Sequence, residues 1–597
     1  MEWSQINPGH HLDQLALSVG IESGIIKQVV CLFASFPFAF VLKRLPDQNI
    51  LLKNLYVIGV SAFYLFALLN IFGGFLTLFF ASMGSYLITR YIRTPYMPWI
   101  NFVFCMGHLA SSHLKSQFFI DEVYNPDIID VTGAQMVLVM KLTSFGWSVQ
   151  DGRNPTDELS TFQKSKIIKK HPNLINFMSY AFFFPSLLTG PSFDYADYDR
   201  WIHGQLFSDV PEERKPGRRR KRMIPKNGKV VAWKVIQGLF WAVLFFKGAS
   251  FVSTDAIFDP KFKSHGFISK AVILYILGVT YRFKYYAAWT ISEAGCILCG
   301  LGYNGYDKQT GKFKWNAVQN VDPIAFETGQ NAHVCLEAWN MNTNKWLKNY
   351  VYLRVKHKNR KPGFKSTLFT FVVSAFWHGT RPGYYLSFVC GALFQSCMKI
   401  YRKNIRPIFL DNGKKKFAYD VMSWVVTQLS FGFMVQPFMI LDFSKSIYCW
   451  GSVYFYPLVG VAVTLFLFRG PYSKKVAGFL KQYHVSVPET KQGAKVATTT
   501  SASIKNPKLA QILKDKEDYE EFGSLGVPSQ ELSKEEFDRH MKEVGEMAED
   551  FKEWNTHKRR SSITDGQEVI KDALNEFKKD MVSLMPPKEG ENDKKKD

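Results

Sequence analysis

Residues 55–88 read LYVIGVSAFYLFALLNIFGGFLTLFFASMGSYLI, a run without a charged side chain. A helix of about 20 apolar residues crosses the hydrocarbon core of a bilayer. This run is therefore long enough for two membrane spans, and we place the break between them at Gly73-Gly74. The stretch predicts a protein that crosses a membrane more than once.

Further apolar runs lie on both sides of this stretch. They occupy residues 29–42, 97–110, 134–149, 173–190, 231–252, 267–302, 364–400, 419–441 and 449–468. Several are long enough to span a bilayer, and the shorter ones are expected to tilt, re-enter or pack inside the protein, where their backbone groups find partners. We expect an all-α polytopic membrane protein with roughly 9 to 12 membrane helices.

The composition divides the chain into two parts. Of the 597 residues, 47% are hydrophobic and 16% aromatic, yet the mean hydropathy is only −0.09. Apolar and polar residues must therefore be segregated along the chain, and the apolar runs lie almost entirely before residue 470. We predict a multispanning membrane domain over 1–472 and a hydrophilic cytosolic tail, partly helical or disordered, over 473–597. A collagen-like or disordered chain is excluded.

The net charge of +23 comes from Lys and Arg in short loops between the apolar runs, such as residues 218–222. Membrane proteins keep such loops in the cytosol beside anionic lipid, so we expect no nucleic-acid partner. Cys296 and Cys299 form a lone C-x-x-C without a second pair, which argues against zinc or another metal. Residues 594–597 (KKKD) match the dilysine signal that returns membrane proteins to the endoplasmic reticulum.

His378 stands apart from most of the 13 histidines. It follows the uncharged run LFTFVVSAFW (368–377) and precedes Gly379. An ionisable group at the end of an apolar membrane helix costs free energy, so His378 is a candidate functional residue. The alternative is a core histidine that donates to a backbone carbonyl.

A second candidate segment is WNMNTNKWL (339–347), which holds Asn340, Asn342 and Asn344. Asparagine is a poor residue for a helix interior, because its side chain competes for backbone hydrogen bonds. Beyond it, Trp346, Tyr350 and Leu353 share one helical face. We predict an amphipathic helix on the membrane surface with an amide-rich entrance; a polar loop with capping asparagines is the alternative.

Two clusters of charged residues are also candidates. RFKYYAAWTISE (282–293) interleaves charges with aromatic residues, as a headgroup or phosphate site would, although Glu293 could equally pair with a neighbouring Arg or Lys. Asp194, Asp197 and Asp199 resemble a metal cluster, but the Gly turn and terminal Glu of a calcium loop are missing. We expect an interfacial loop there.

The sequence lacks G-x-S-x-G, G-x-x-x-x-G-K-[ST] and, at His378, H-x-x-x-x-D. These absences argue against a soluble hydrolase, a nucleotide-driven pump and the glycerolipid acyltransferases of the soluble-domain type.

The pattern W-H-G-x-x-x-G-Y at 377–384, with Trp339-Asn340 upstream, resembles the membrane-bound O-acyltransferase family, in particular its lysophospholipid-acyltransferase branch. The blocks 140–152, 187–201, 282–307, 337–348 and 374–385 are similar to fungal members with broad specificity. The likeness covers residues 20–475. Residues 450–455 (WGSVYF) depart from the branch, which places a Tyr first and a His shortly after.

The resemblance implies a helical bundle around an intramembrane catalytic chamber. Acyl-CoA would enter from the cytosol and a lysophospholipid from the bilayer, with acyl-CoA as a substrate and no cofactor. His378 would be the general base and Asn340 would orient the acceptor or the thioester oxygen. We rank as weaker substrate-binding candidates Asp151, Arg282, Lys284, Glu293, Trp339, Asn342, Asn344, Trp377, Arg381 and Tyr384.

Two alternatives stay open. Another branch of the family would acylate a diacylglycerol, a sterol or a protein. A transporter also combines many helices with a polar chamber, but it predicts inverted repeats, and none is evident in the sequence.

The charge distribution predicts that the loop at 214–229 and the tail both face the cytosol. Protease added to sealed microsomes should remove an epitope placed after Asp597. Full protection of that epitope would reverse the orientation and discard the retrieval signal.

Overall fold

The computed structural model describes residues 7–118, 131–214, 223–355, 364–410 and 413–484, which are mostly helical. The basic residues 218–222 and the chain from 485 onward, including most of the predicted tail, lie outside the described residues. The first helices are α1 Pro8–Val19, α2 Ser23–Leu42, α3 Ile50–Phe63, α4 Phe72–Tyr91, α5 Met97–Phe118, α6 Thr132–Asp151, α7 Thr161–Lys166, α8 Leu174–Ala181, α9 Tyr195–Ile202, α10 Gly228–Phe251 and α11 Pro260–Ser264.

The remaining elements begin with the longest helix. They are α12 Phe267–Leu298, the antiparallel pair β1 Tyr306–Asp307 and β2 Lys312–Phe313, α13 Pro323–Glu327, α14 Ala332–Ala338, α15 Met341–Trp346, α16 Phe364–His378, α17 Pro382–Asn404, α18 Gly413–Met434, α19 Gln436–Ile440, α20 Phe443–Gly451, α21 Tyr456–Arg469 and α22 Ser473–Lys481. Turns of 3₁₀ helix lie at Thr156–Glu158, Phe184–Ser186, Gln205–Phe207, Glu212–Arg214, Thr254–Phe258 and Arg406–Phe409, and π-helical turns at Tyr64–Leu68 and Leu347–Tyr352.

Within the described residues, four helices are long and apolar enough to cross a membrane. They are Ser23–Leu42, Ile50–Leu68, Phe72–Tyr91 and Gly228–Phe258, and α20 with α21, bent by 78°, gives a fifth if the pair is one span. This count is below the expected 9 to 12. Helices α5, α6, α12, α17 and α18 are each at least 20 residues long, but their polar and charged side chains keep them out of the count. The chain is a helical membrane protein whose central helices are more polar than its outer ones.

The predicted break at Gly73-Gly74 lies slightly too late in the chain. The first helix ends in the π-helical turn, and Asn70 takes a left-handed conformation with φ 56°. Asparagine tolerates this conformation, and the Asn70 side chain accepts a 2.6 Å hydrogen bond from the Asn7 amide. The turn is therefore made at Asn70 rather than at the glycine pair.

Helix α10 lies at the edge of the bundle. Only 6% of its apolar span is buried, and Trp233, Phe240 and Phe246 are exposed on its outer side. Its inner side packs on α12 through glycines: a Cβ added at Gly238 would lie 2.3 Å from a side-chain carbon of Ile291. The outer side is therefore an apolar surface suited to lipid.

Helix α6 occupies the centre, since 15 of its 20 residues are buried. Its polar residues find partners in neighbouring helices. Asn101 of α5 donates to the carbonyl of Leu142 at 2.8 Å, in a space that Gly146 leaves open. The ammonium of Lys141 donates to the carbonyls of Tyr180 and Ala181, where α8 ends. These contacts fix α6 relative to α5 and α8.

The prediction of a surface helix beyond Asn344 is wrong. Residues 347–352 form a π-helical turn in which Leu347, Tyr350 and Val351 are all buried. Trp346 donates from its indole nitrogen to Thr143 of α6 at 2.8 Å. The aromatic spacing therefore reflects packing on α6 inside the protein, not an amphipathic face on the membrane surface.

Candidate active site

His378 ends helix α16, and four aromatic rings surround its imidazole. The ring centroids of Trp377, Phe388, Phe438 and Tyr384 lie 4.6, 5.0, 5.0 and 5.8 Å from that of His378. Among the described residues, no side-chain or backbone group makes a hydrogen bond to the imidazole. The alternative of a core histidine that donates to a carbonyl is therefore not what the structure has.

Gly379 and Gly383, the two glycines after His378, each allow a different close contact. Gly379 has φ 151°, and a Cβ there would lie 2.7 Å from the Tyr384 ring. A Cβ at Gly383 would lie 2.1 Å from the carbonyl oxygen of Pro437. Gly383 also donates from its backbone to Leu441 at 3.1 Å. The glycines thus let Tyr384 and the segment that carries Phe438 approach His378 closely.

Asn340 stands immediately before α15 in a left-handed conformation, with φ 44° and ψ 51°. Its side-chain oxygen accepts a 2.8 Å hydrogen bond from the hydroxyl of Thr343. This contact fixes which side of the amide faces Thr343. In the described part of the chain the amide N–H groups of Asn340 have no hydrogen-bond partner, so they are available to a ligand.

One face of α6 connects the two segments that carry His378 and Asn340. The carbonyl of Met136 accepts from the Trp377 indole at 3.0 Å. One turn later, the sulfur of Met140 lies 3.3 Å from the Thr343 hydroxyl, and Thr143 follows with its bond from Trp346. Residues spaced by four and three positions share a helix face. The two candidate residues are therefore held by the same three-residue stripe.

Trp339 lies in a cluster of aromatic rings on α12 and α13. Its ring centroid is 5.7 Å from Tyr285, 5.8 Å from Tyr286, 5.1 Å from Trp289 and 5.6 Å from Phe326. Beside this cluster, Arg282 donates to both carboxylate oxygens of Glu327 at 2.8 and 2.6 Å. This bidentate pair joins α12 to α13, and a phosphate contact of Arg282 stays a prediction.

Asp151 and Glu293 are both buried and paired. The guanidinium of Arg354 donates to the two oxygens of Asp151 at 2.8 and 2.5 Å, and Gln163 adds a 3.0 Å bond. Glu293 accepts from Lys234 at 2.9 Å with one oxygen, whereas its other oxygen has no hydrogen-bond partner among the residues described. The pairing expected for Glu293 is thus found, with Lys234.

The remaining candidates are two asparagines with backbone partners and two exposed cations. The amide of Asn342 donates to the carbonyls of Val318 and Gln319, and that of Asn344 donates to Trp339 at 2.7 Å. These two amides hold the segment before α15 in place. Of the three asparagines predicted to form an amide-rich entrance, only Asn340 therefore keeps its N–H groups available to a ligand. Lys284 and Arg381 are exposed.

The loop expected at the acidic residues near 194 is wrong, because Asp197 and Asp199 lie within helix α9 and Asp194 stands immediately before it. The aromatic residues between the acids are buried on one face of this short helix, and Asp194 and Asp197 form ion pairs. Lys166 lies 2.7 Å from Asp197 and 3.8 Å from Asp194, in segments that connect the longer helices. Burial opposes the charge on both members of the closer pair, but their attraction outweighs it. It raises the pKa of Lys166 and, together with Arg200, lowers the pKa of Asp197. Tyr350 donates to Asp194 at 2.8 Å, which joins this cluster to the segment after Asn340.

Comparison with known proteins identifies the family. Residues 124–440 match the model of the family described as MBOAT, membrane-bound O-acyltransferase family. The chain belongs to the membrane-bound O-acyltransferase family.

Relatives within this family are similar over most of their length. The "Lysophospholipid acyltransferase" of Saccharomyces cerevisiae is 47% identical over 590 residues, which is 95% of this chain and 94% of the relative. The protein of the same name from Schizosaccharomyces pombe is 41% identical over 77% of this chain and 89% of its own. The human "Membrane-bound glycerophospholipid O-acyltransferase 2" is 30% identical over 68% of this chain and 77% of its own.

Several residues of this candidate site were missed by sequence reasoning. Phe388 and Phe438 pack on His378, Thr343 orients Asn340, and His113 contacts the backbone beside His378. Phe388 lies one turn after Tyr384, so helical spacing from the W-H-G-x-x-x-G-Y motif was the available signal. His113 and Phe438 carried no local signal, because only the fold brings them to residue 378.

The buried Asp151–Arg354 pair gives a prediction about stability. Arg354→Gln and Asp151→Asn should each lower the free energy of unfolding by about 3–5 kcal/mol, because each leaves a buried charge without its partner. Thermal unfolding of the detergent-solubilised protein, followed by size-exclusion chromatography, measures this loss. The surface pair Lys416–Asp420 is the matched control, and Lys416→Gln should cost less than about 1 kcal/mol. Equal effects at the two pairs would contradict the structural role.

Proposed function

We propose that this chain is a lysophospholipid acyltransferase, which transfers a fatty acyl group from acyl-CoA to the free hydroxyl of a lysophospholipid. The yeast relatives with 47% and 41% identity carry that name. One observation carries the proposal. One face of α6 supports both the segment of the His378 imidazole, which has no hydrogen bond to the described residues, and that of the Asn340 amide, whose N–H groups have no partner among them.

In the proposed reaction, His378 takes the proton of the lysophospholipid hydroxyl as its oxygen attacks the thioester carbonyl carbon. The carbon–sulfur bond breaks, the ester bond forms, and the imidazolium returns its proton to the CoA sulfur. Because the imidazole has no bond to the described protein groups, its base nitrogen is available to the hydroxyl. The flanking rings of Phe388 and Phe438 hold it from two sides.

Asn340 is proposed to stabilise the oxyanion that forms on the thioester carbonyl. The Thr343 hydroxyl occupies the amide oxygen, so the N–H groups are the side that faces the substrate. A donor that is already oriented stabilises the developing charge without reorganisation. The aromatic surroundings supply a low-dielectric chamber, which strengthens this contact and keeps water from the thioester.

The direction of substrate entry and the cellular membrane are part of the same proposal. Acyl-CoA would enter from the cytosol and the lysophospholipid from the bilayer of the endoplasmic reticulum, with the tail in the cytosol. The exposed cations Lys284 and Arg381 are the candidates for contact with substrate phosphates. Arg381 lies three residues after His378, immediately before α17.

His378→Ala should remove most of the turnover while leaving the folded protein in the membrane. The loss should be at least about 100-fold, since general-base catalysis is typically worth about 10²–10⁴-fold. Asn340→Ala should lower activity by about 10²–10³-fold, as for a lost oxyanion donor. The double variant should be little worse than His378→Ala, because residues that serve one step are not additive.

Activity per folded molecule is the measurement, with labelled acyl-CoA and lysophospholipid and a size-exclusion profile for each variant. His203→Ala is the control, because that ring pairs with Asp199 away from the site. A well-folded His378→Ala protein that acylates lysophospholipid near the wild-type rate would end this mechanism.

Arg381→Gln should raise the apparent KM for one of the two substrates more than it lowers kcat. This pattern is expected when a contact is lost that serves ground state and transition state equally. Steady-state kinetics with each substrate varied in turn test the assignment. Unchanged values of both constants would show that Arg381 contacts neither substrate.

A further inference from the structure

A second histidine lies against the backbone that carries His378. His113 is in α5, and its Nε2 is 3.3 Å from the carbonyl oxygen of Trp377. A carbonyl oxygen only accepts hydrogen bonds, so the imidazole of His113 donates this one. Trp377 is in the last turn of α16, where backbone carbonyls have no partner within their own helix. His113 therefore supplies a partner that the helix cannot.

One turn further along α5, Gln117 makes a similar contact. Its side-chain oxygen accepts a 2.6 Å hydrogen bond from the hydroxyl of Thr380. The two contacts fall at residues 377 and 380, on either side of His378. Helix α5 therefore holds the chain at two points that bracket the proposed base.

The turn at Gly379 makes this approach possible. A Cβ at Gly379 would lie 3.6 Å from Nδ1 of His113 and 2.7 Å from the ring of Tyr384. The backbone of residue 379 thus fits between the two rings. Because the His378 imidazole has no hydrogen bond to the described residues, its direction depends on ring packing and on this backbone.

We propose that His113 is a positioning residue for His378, which acts through the hydrogen bond from its Nε2 to the Trp377 carbonyl. The inference rests on the proposed function, in which His378 is the base. It adds a residue that lies outside the motif around His378, on another helix. A shift of about 1 Å in a reacting group can cost about 10²-fold in rate, so the bond has a catalytic consequence although it is remote from the substrate.

The test compares two replacements of His113. His113→Leu removes the donor, and kcat should fall by about 10-fold with both KM values unchanged, because only the direction of the base is lost. His113→Gln keeps an N–H donor at a similar reach and should recover most of kcat. His108→Leu is the matched control on the same helix, since His108 contacts Gln135 and Phe80 rather than residues 377–380; its kcat should stay at the wild-type value.

Each other outcome overturns the inference. Wild-type kcat for His113→Leu shows that the contact does not matter to His378. Equal losses for Leu and Gln show that the imidazole is needed for something other than its donor, such as packing or proton transfer. If His113→Leu does not fold, His113→Phe replaces it, because phenylalanine keeps a ring at this position but has no donor; kcat should again fall about 10-fold with unchanged KM values, and an unchanged kcat then overturns the proposal.

His378→Ala, assayed in parallel, separates this inference from the proposed function. An inactive His378→Ala with a fully active His113→Leu overturns only the role of His113. An active His378→Ala overturns the proposed function, and the positioning role fails with it.

Discussion

The structure depends on the rule that polar groups inside a membrane protein need partners within the protein. Helix α6 shows how this rule sets the arrangement. It carries Lys141 and Asp151 in the interior, and each is bound by a different neighbour: Lys141 by the end of α8, and Asp151 by Arg354. The polar side chains lower the hydropathy of α6 below that of a typical membrane span, and the same side chains bind α6 to its neighbours.

This arrangement has a consequence for the site. The stripe of Met136, Met140 and Thr143 receives contacts from both candidate segments, while Lys141, on another side of the same helix, binds α8. Any displacement of α6 would therefore move the supports of His378 and Asn340 together. The position of His378 relative to Asn340 would therefore change little, because both segments contact the same helix.

Sequence reasoning found those parts of the structure that depend on local pattern. The helical membrane class, the family and the segments around His378 and Asn340 all follow from local runs and motifs. The parts that it missed depend on distant partners. Glu327 stands 45 residues after Arg282, and Trp346 contacts Thr143 across 203 residues. A surface helix and a buried one can share the same aromatic spacing, so the segment after Asn344 was misread as an interfacial helix.

Among the described residues, no carboxylate contacts the His378 imidazole. Its direction must therefore come from other contacts, including those at the end of α16. In a Ser-His-Asp triad, a buried Asp fixes the tautomer and direction of the imidazole through a hydrogen bond. At His378 the direction of the imidazole is instead set by the rings of Phe388 and Phe438 and by the backbone at residues 377–380. A carboxylate in an apolar membrane chamber would itself need a partner. Orientation by packing and by backbone contacts avoids that buried charge. In the proposed mechanism it would make the rate sensitive to residues outside the motif around His378.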